Sequence, residues 1–179
     1  SFPTRRSSDL GDVVLVGHSW GGTVISEAGN DARVKSLVYV AAFAPDSGQS
    51  TADLAGSYPA PPGSAGIAKT ADSYLYLPTE AVRKDFAPDV KPAIQDTIAA
   101  TQGPIKAEAF GEKVAHAAWH DKPSWYVVSQ NDRMINPALE RAMAKTIHAK
   151  TTEVAASHVS MVSQPQIVAR TIEQAIEAK

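Results

Sequence analysis

Short apolar runs recur along the chain and predict the strands of a buried sheet. Three of them lie at residues 12–16, 34–42 and 124–129, and a weaker run occupies residues 152–155. The first three are continuous rather than alternating in polarity, and they contain several valines. Runs of this length and kind are typical of strands that are covered on both faces of a sheet.

Segments with helical spacing lie between and after these runs. Residues 21–28 begin on small side chains, and Asn136 followed by Pro137 is a typical helix start. Pro165 opens a terminal helix, for which we predict these inward positions: Ile167, Val168, Ile172, Ala175 and Ile176. Strands separated by helices need crossover connections, so we expect an α/β fold with about four parallel strands and flanking helices. Functional residues of such sheets follow the carboxyl ends of the strands.

The middle of the chain departs from this alternation. From residue 46 to about 119 the composition changes, and residues 58–63 form a loop rich in proline and glycine. Two short amphipathic helices are predicted at residues 79–86 and 92–100.

The first ten residues show neither a strand pattern nor a helix pattern. Residues 1–10 have no periodicity, no apolar core and no signal-peptide layout. They resemble a peptide known from translated sequencing adaptors, and we interpret them as a non-native leader. The alternative is a short flexible leader of the protein itself.

Composition removes several classes of function. The net charge is −2, and no block of like charges occurs, which argues against nucleic acid or an anionic membrane surface as a partner. No apolar run approaches the roughly 18 residues of a membrane span. There is no cysteine, so disulfides, thiol catalysis and cysteine-based metal sites are excluded. The absence of cysteine does not determine the redox compartment. We expect a cytoplasmic location and no cofactor.

A glycine-flanked serine follows the first predicted strand. Gly17, Ser19 and Gly21 form a G-x-S-x-G pattern between that strand and the first helix. This is the layout of a nucleophile elbow, in which a sharp turn raises the serine hydroxyl above the sheet. The helix start beneath it favours developing negative charge. The alternative is a glycine-rich turn with a serine that caps the helix.

A serine nucleophile needs a histidine base, and the histidine needs an orienting acid. Asp132 follows the third predicted strand and His158 follows the fourth, in the chain order Ser, Asp, His. Taken singly, Asp132 could be a loop carboxylate that caps the next helix, and His158 could be a surface histidine. A separate candidate is a metal site at His116 and His120, but the glutamate of H-E-x-x-H is absent and no third ligand suggests itself.

Four stretches of the chain are "VVLVGHSWGG", "AAFAPD", "KPSWYVVSQNDRMINPALERAMAKTI" and "ASHVSMVSQP". They resemble motifs of the α/β-hydrolase superfamily. They are similar in particular to its small esterase branch, which includes plant methylesterases and hydroxynitrile lyases. The resemblance implies a core at residues 11–45 and 120–179 and a cap at residues 46–119.

The same resemblance implies roles for single residues. Ser19 would be the nucleophile, Asp132 the acid and His158 the base, and the backbone N–H of Trp20 would be one oxyanion donor. The lyases carry a lysine after the catalytic histidine; Val159 stands there in this chain, which favours ester hydrolysis.

The chain departs from the family pattern at its start. The fold should have several strands before the elbow, and a loop after one of them should supply the second oxyanion donor. We therefore expect this chain to be the C-terminal part of such a hydrolase, with the elbow strand at a sheet edge. On its own it should be a poor enzyme and poorly soluble.

Three functions follow from these patterns. The first is a serine hydrolase that cleaves small-molecule carboxylic esters through an acyl-enzyme intermediate. The second is a lyase or acyltransferase on the same fold. The third is an inactive fragment or ligand-binding module. The sequence leaves the substrate and the oligomeric state open.

Overall fold

The structure is a computed structural model, and it describes residues 11–178. The predicted non-native leader, residues 1–10, lies outside the described residues. Within the described part of the chain, no helix is long and apolar enough to cross a membrane.

A four-stranded parallel sheet forms the centre of the molecule, in the order β1-β2-β6-β7. Its strands are β1 (Val13–Ser19), β2 (Val34–Ala42), β6 (Ser124–Ser129) and β7 (Lys150–Val154). The four predicted strands are confirmed, although β1 extends to the serine itself, beyond the predicted end at residue 16. Among residues 11–178, β1 pairs with β2 alone, as expected for an edge strand, and the side chain of Val16 is exposed.

Helices connect the strands and cover both faces of the sheet. They are α1 (Gly21–Ala28), α5 (Pro137–Thr146), the short α6 (Ser160–Ser163) and α7 (Pro165–Glu177). The Asn136 side chain accepts a hydrogen bond from the Ala138 N–H, so the predicted start of α5 is capped as expected. One predicted inward residue of α7 is wrong: Ile176 is exposed, because the helix turns its face around Val168 and Ala175 towards the sheet.

Two apolar layers result, one on each face. Leu37 and Tyr39 of β2 pack in the same cluster as Ile25 of α1 and Met143 of α5. The alternate residues of β2 point the other way, and Val38 packs in a second cluster that includes residues of α7. Both faces of β2 and β6 are therefore buried, which explains the continuous apolar runs in the sequence.

The segment between β2 and β6 contains short elements. Its helices are α2 (Thr51–Gly56), α3 (Thr79–Ala81) and α4 (Pro92–Thr101), with a π-helical turn at Val82–Phe86 and 3-10 turns at Pro62–Gly66, Ala107–Phe110 and Ala118–His120. It also contains a three-stranded antiparallel sheet that the sequence did not predict: β3 (Ala68–Lys69), β4 (Tyr74–Tyr76) and β5 (Ile105–Lys106). Strands of two or three residues are too short to show a periodic pattern.

Candidate functional site

Ser19 stands at the junction of β1 and α1 in a strained backbone conformation. Its φ is 54°, in the left-handed region that residues with a Cβ seldom adopt. A Cβ at Gly17 would lie 2.6 Å from the Gly21 carbonyl oxygen, and one at Gly22 would overlap the Phe43 carbonyl oxygen. The two glycines therefore give the chain room to turn sharply at the serine.

Asp132 and His158 lie side by side at the same end of the sheet. Asp132 follows β6 and His158 follows β7, and the Nδ1 atom of His158 is 2.6 Å from Oδ2 of Asp132. Both side chains are buried. The other carboxylate oxygen of Asp132 accepts hydrogen bonds from the N–H groups of Met134 and Ile135, at 2.6 and 2.9 Å. These bonds fix the plane of the carboxylate that His158 contacts.

The surroundings keep Asp132 charged. Burial by itself would raise the pKa of its carboxyl, but the charge and the hydrogen bond of His158, together with the Ile135 N–H, lower the pKa below its ordinary value. A carboxylate can only accept hydrogen bonds, so Nδ1 of His158 carries the proton. This leaves Nε2 as the ring nitrogen that faces away from the carboxylate.

Two rings pack against His158. The centroid of the His18 ring is 4.6 Å from that of His158, and the Phe86 ring meets it edge-on at 5.0 Å. Nε2 of His18 donates a hydrogen bond to the His158 carbonyl oxygen at 2.9 Å. Burial, and then the charge of His158, lower the pKa of His18 to about 3, so His18 is neutral at neutral pH.

Ser19 is linked to the Asp132–His158 pair by the residue that precedes it. His18, which contacts His158, directly precedes Ser19 in β1. Within residues 11–178 the structure has no hydrogen bond between the Ser19 hydroxyl and His158. Trp20 begins α1, and its indole N–H donates to the Ala109 carbonyl oxygen at 3.2 Å, linking the turn to the segment between β2 and β6.

A second carboxyl lies buried behind Asp132. Glu140 of α5 is closed to solvent, and its Oε2 accepts a hydrogen bond from the Ser129 N–H at 2.9 Å. Burial and the negative charge of Asp132 raise the pKa of Glu140 well above its ordinary value, which favours the neutral carboxyl. Our sequence reasoning missed this residue. The available signal was helical spacing, since Glu140 falls on one face with Met143, Ala144 and Ile147.

His120, one of the two histidines considered as metal ligands, pairs with an acidic side chain. Nε2 of His120 lies 2.7 Å from Oδ1 of Asp46 on the surface. The part of the chain that the structure describes contains no group of three or more acidic or histidine side chains able to hold a metal ion. His120 and Asp46 line a cleft of about 540 Å³, which is not lined by Ser19, Asp132 or His158.

Comparisons with known proteins agree with this architecture. An alpha/beta hydrolase of Aspergillus novofumigatus, nvfD, is 28% identical over 177 residues, which cover 92% of this chain and 70% of that protein. A carbendazim hydrolyzing esterase of a Nocardioides species is 45% identical over 47 residues, covering 25% of this chain and 19% of that protein. The crystal structure of a pyrethroid hydrolase from Sphingobium faniae JZ-2 superimposes with a TM-score of 0.73 at 21% identity, covering 94% of this chain and 72% of the other.

The family itself follows from a broader match. The sequence profile described as "Alpha/beta hydrolase family" matches residues 3–171, which is nearly the whole chain. Together with the parallel sheet, and with relatives that are hydrolases, this match supports assigning a hydrolase activity. The chain belongs to the alpha/beta hydrolase family.

Proposed function

We propose that the protein is a serine hydrolase that cleaves small-molecule carboxylic esters through an acyl-enzyme intermediate. The observation that carries this proposal is the buried hydrogen bond between Asp132 and His158, at the same end of the sheet as the strained turn of Ser19. A histidine that is oriented by a carboxylate beside a serine has the chemistry of a nucleophile and its base.

In this proposal Ser19 Oγ attacks the carbonyl carbon of the ester while Nε2 of His158 takes the hydroxyl proton. The resulting oxyanion is stabilised by the N–H of Trp20 and the start of α1. The C–O bond to the leaving group then breaks, and His158 returns its proton to the departing alcohol. Water attacks the acyl group by the same path in reverse and releases the carboxylic acid.

Asp132 acts in this scheme by holding His158. Its charge stabilises the imidazolium that forms when His158 takes the proton, and its fixed carboxylate selects the tautomer with the proton on Nδ1. The lowered pKa of Asp132 keeps that charge at neutral pH.

The position after the histidine supports hydrolysis over the lyase alternative. Val159 is buried and packs in one apolar cluster with Val82 and Ala87. The position directly after His158, where the lyases of the family carry a lysine, therefore holds an apolar side chain in this chain.

The first test is covalent labelling of the 179-residue chain with a fluorophosphonate, with the modified residue located by mass spectrometry. We expect one label, on Ser19, and none in Ser19→Ala. The matched control is Ser64→Ala, an exposed serine that donates only to the Pro61 carbonyl oxygen, and it should label normally. A label on another serine, or no label at all, would contradict the proposal.

The second test separates hydrolysis from the alternatives. With 4-nitrophenyl acetate we expect stoichiometric release of acetic acid and nitrophenol, and added methanol should divert little of the acetyl group. Efficient methyl acetate formation would favour an acyltransferase. Labelling of Ser19 without release of either product would rule out the hydrolase.

A further inference from the structure

A short segment beside the site contacts both loops that carry the acid and the base. The segment comprises residues 82–89, and we call it the clasp. It begins with the π-helical turn Val82–Phe86, in which the Ala87 N–H donates to the Val82 carbonyl oxygen at 2.8 Å. Such wide turns are rare, and they occur frequently at functional sites.

The clasp holds the acid loop through an ion pair. Asp85 is buried, and its Oδ1 accepts a hydrogen bond from Nε of Arg133 at 2.7 Å. Arg133 directly follows Asp132. The same loop is fixed from a second side, because the Gly63 N–H donates to the Arg133 carbonyl oxygen at 2.7 Å. A Cβ at Gly63 would also lie 3.0 Å from Cβ of Asp85, so this packing is close.

The clasp holds the base loop through two hydrogen bonds to one residue. Both oxygens of Asp89 accept from Ser157, Oδ2 from its N–H at 2.7 Å and Oδ1 from its hydroxyl at 2.5 Å. Ser157 is buried and directly precedes His158. The residue on the other side of the histidine, Val159, packs against Val82 of the clasp.

Between these two anchors the clasp touches the histidine ring itself. Phe86 meets the imidazole of His158 edge-on at 5.0 Å. The ring is therefore confined by Phe86 on one side, by His18 on another, and by the Asp132 carboxylate at Nδ1.

We propose that the clasp positions His158 relative to Asp132, with Asp85 and Asp89 as positioning residues. Asp132 and His158 stand on different loops, so their hydrogen bond is kept only if both loops stay in place. Contacts with both loops, such as those of the clasp, meet this requirement. A displacement of about 1 Å in a catalytic group can cost roughly 10²-fold in rate. The expected loss of rate rests on the proposed function, whereas the expected loss of the hydrogen bond between Asp132 and His158 does not.

The experiment compares variants at Asp89. Asp89→Ala removes both bonds to Ser157, whereas Asp89→Asn keeps one acceptor for the N–H and one donor for the hydroxyl oxygen. The matched control is Asp31→Ala, which removes an exposed ion pair with Arg33, outside the clasp. Asp85→Ala tests the acid loop in the same way.

The structural readout is the downfield proton resonance of Nδ1–H of His158, which reports its hydrogen bond to Asp132 without any activity. We expect this resonance to be lost or strongly shifted in Asp89→Ala and Asp85→Ala and to be retained in Asp89→Asn and Asp31→Ala. The kinetic readout is the rate of fluorophosphonate labelling and kcat, which should fall about 10- to 100-fold in the two affected variants, with little change in KM.

The outcomes separate the two proposals. If Ser19 does not label in the unmodified chain, the proposed function fails, while the resonance still tests the clasp. If Asp89→Ala and Asp85→Ala lower the melting temperature but leave both the resonance and the labelling rate unchanged, their role is stability alone and the clasp proposal is wrong.

Discussion

His18 donates a hydrogen bond from Nε2 to the backbone carbonyl oxygen of His158, and the two rings lie 4.6 Å apart. The residue before Ser19, the proposed nucleophile, thus contacts His158, the proposed base. The bond requires a proton on Nε2 but no positive charge, and a second charge next to His158 would oppose the imidazolium on which the proposed mechanism depends.

His18 should make the stability of the protein depend on pH. Its pKa falls from 6.5 to about 3 on folding, so between these values the unfolded chain binds a proton that the folded chain does not. Stability is therefore fully present above pH 6.5 and is lost as the pH falls towards 3. The folding equilibrium should lose up to about tenfold per pH unit on this account.

The measurement is chemical denaturation from pH 7.5 to 4, for the unmodified chain and for His18→Gln. The glutamine can donate to the same carbonyl but does not titrate. As the pH falls below 6.5, we expect the unfolding free energy of the unmodified chain to decrease more than that of His18→Gln. A constant difference would show that His18 is not held neutral.

Glu140 should produce the opposite trend at higher pH. Its pKa is raised well above 4.5 in the folded protein, so the unfolded chain releases a proton that the folded chain retains. This costs stability, and the cost grows as the pH rises above 4.5. Glu140→Gln can accept the same bond from the Ser129 N–H without that cost, and we expect it to gain stability relative to the unmodified chain as the pH increases.

The control for Glu140 is Glu153→Gln. The guanidinium of Arg141 lowers the pKa of this exposed carboxyl to about 2. Its contribution is present above pH 4.5 and is lost as the pH falls to about 2, so its replacement should slightly destabilise the protein at neutral pH. If both variants show the same pH trend in denaturation, the raised pKa of Glu140 in the folded protein is contradicted.

Asp132→Asn should greatly reduce the proposed ester hydrolysis. The amide can present its N–H to the histidine, which then carries its proton on Nε2 and can no longer accept one from the serine. A loss of roughly 10³- to 10⁴-fold in kcat is expected for such a change. The measurement is ester turnover and fluorophosphonate labelling, with the exposed Asp121→Asn as a control that should behave normally. An unchanged rate in Asp132→Asn would exclude Asp132 as the orienting acid.

Two neighbouring glycines should respond differently to alanine. A Cβ at Gly22 would collide with the Phe43 carbonyl oxygen and with Cβ of Ala42, whereas one at Gly21 meets nothing within 4 Å. Gly22→Ala should lower the free energy of unfolding by about 1–3 kcal/mol, as overpacking typically does. Gly21→Ala should leave it unchanged or raise it slightly. Equal effects in urea denaturation would contradict this account of the turn.

The sequence by itself determined the parallel sheet and the turn at Ser19. Buried strands produce continuous apolar runs, helices produce a period of 3.6 residues, and a sharp turn needs glycine at fixed positions. These are local requirements, so Gly17, Ser19 and the four strands could be located without coordinates. The order of Asp132 and His158 along the chain followed because each stands directly after a strand.

Only the tertiary structure decided what surrounds these residues. Glu140 is a charged residue on a surface-like helix until packing buries it behind Asp132, and Ile176 is apolar yet lies at an exposed position. Asp85 and Asp89 fall in a polar, proline-containing stretch where carboxylates are usually solvated. Their partners, Arg133 and Ser157, are 48 and 68 residues away in the chain. Contacts at such separation leave no periodic trace in a single sequence, because periodicity records which face of an element is buried and not which element covers it.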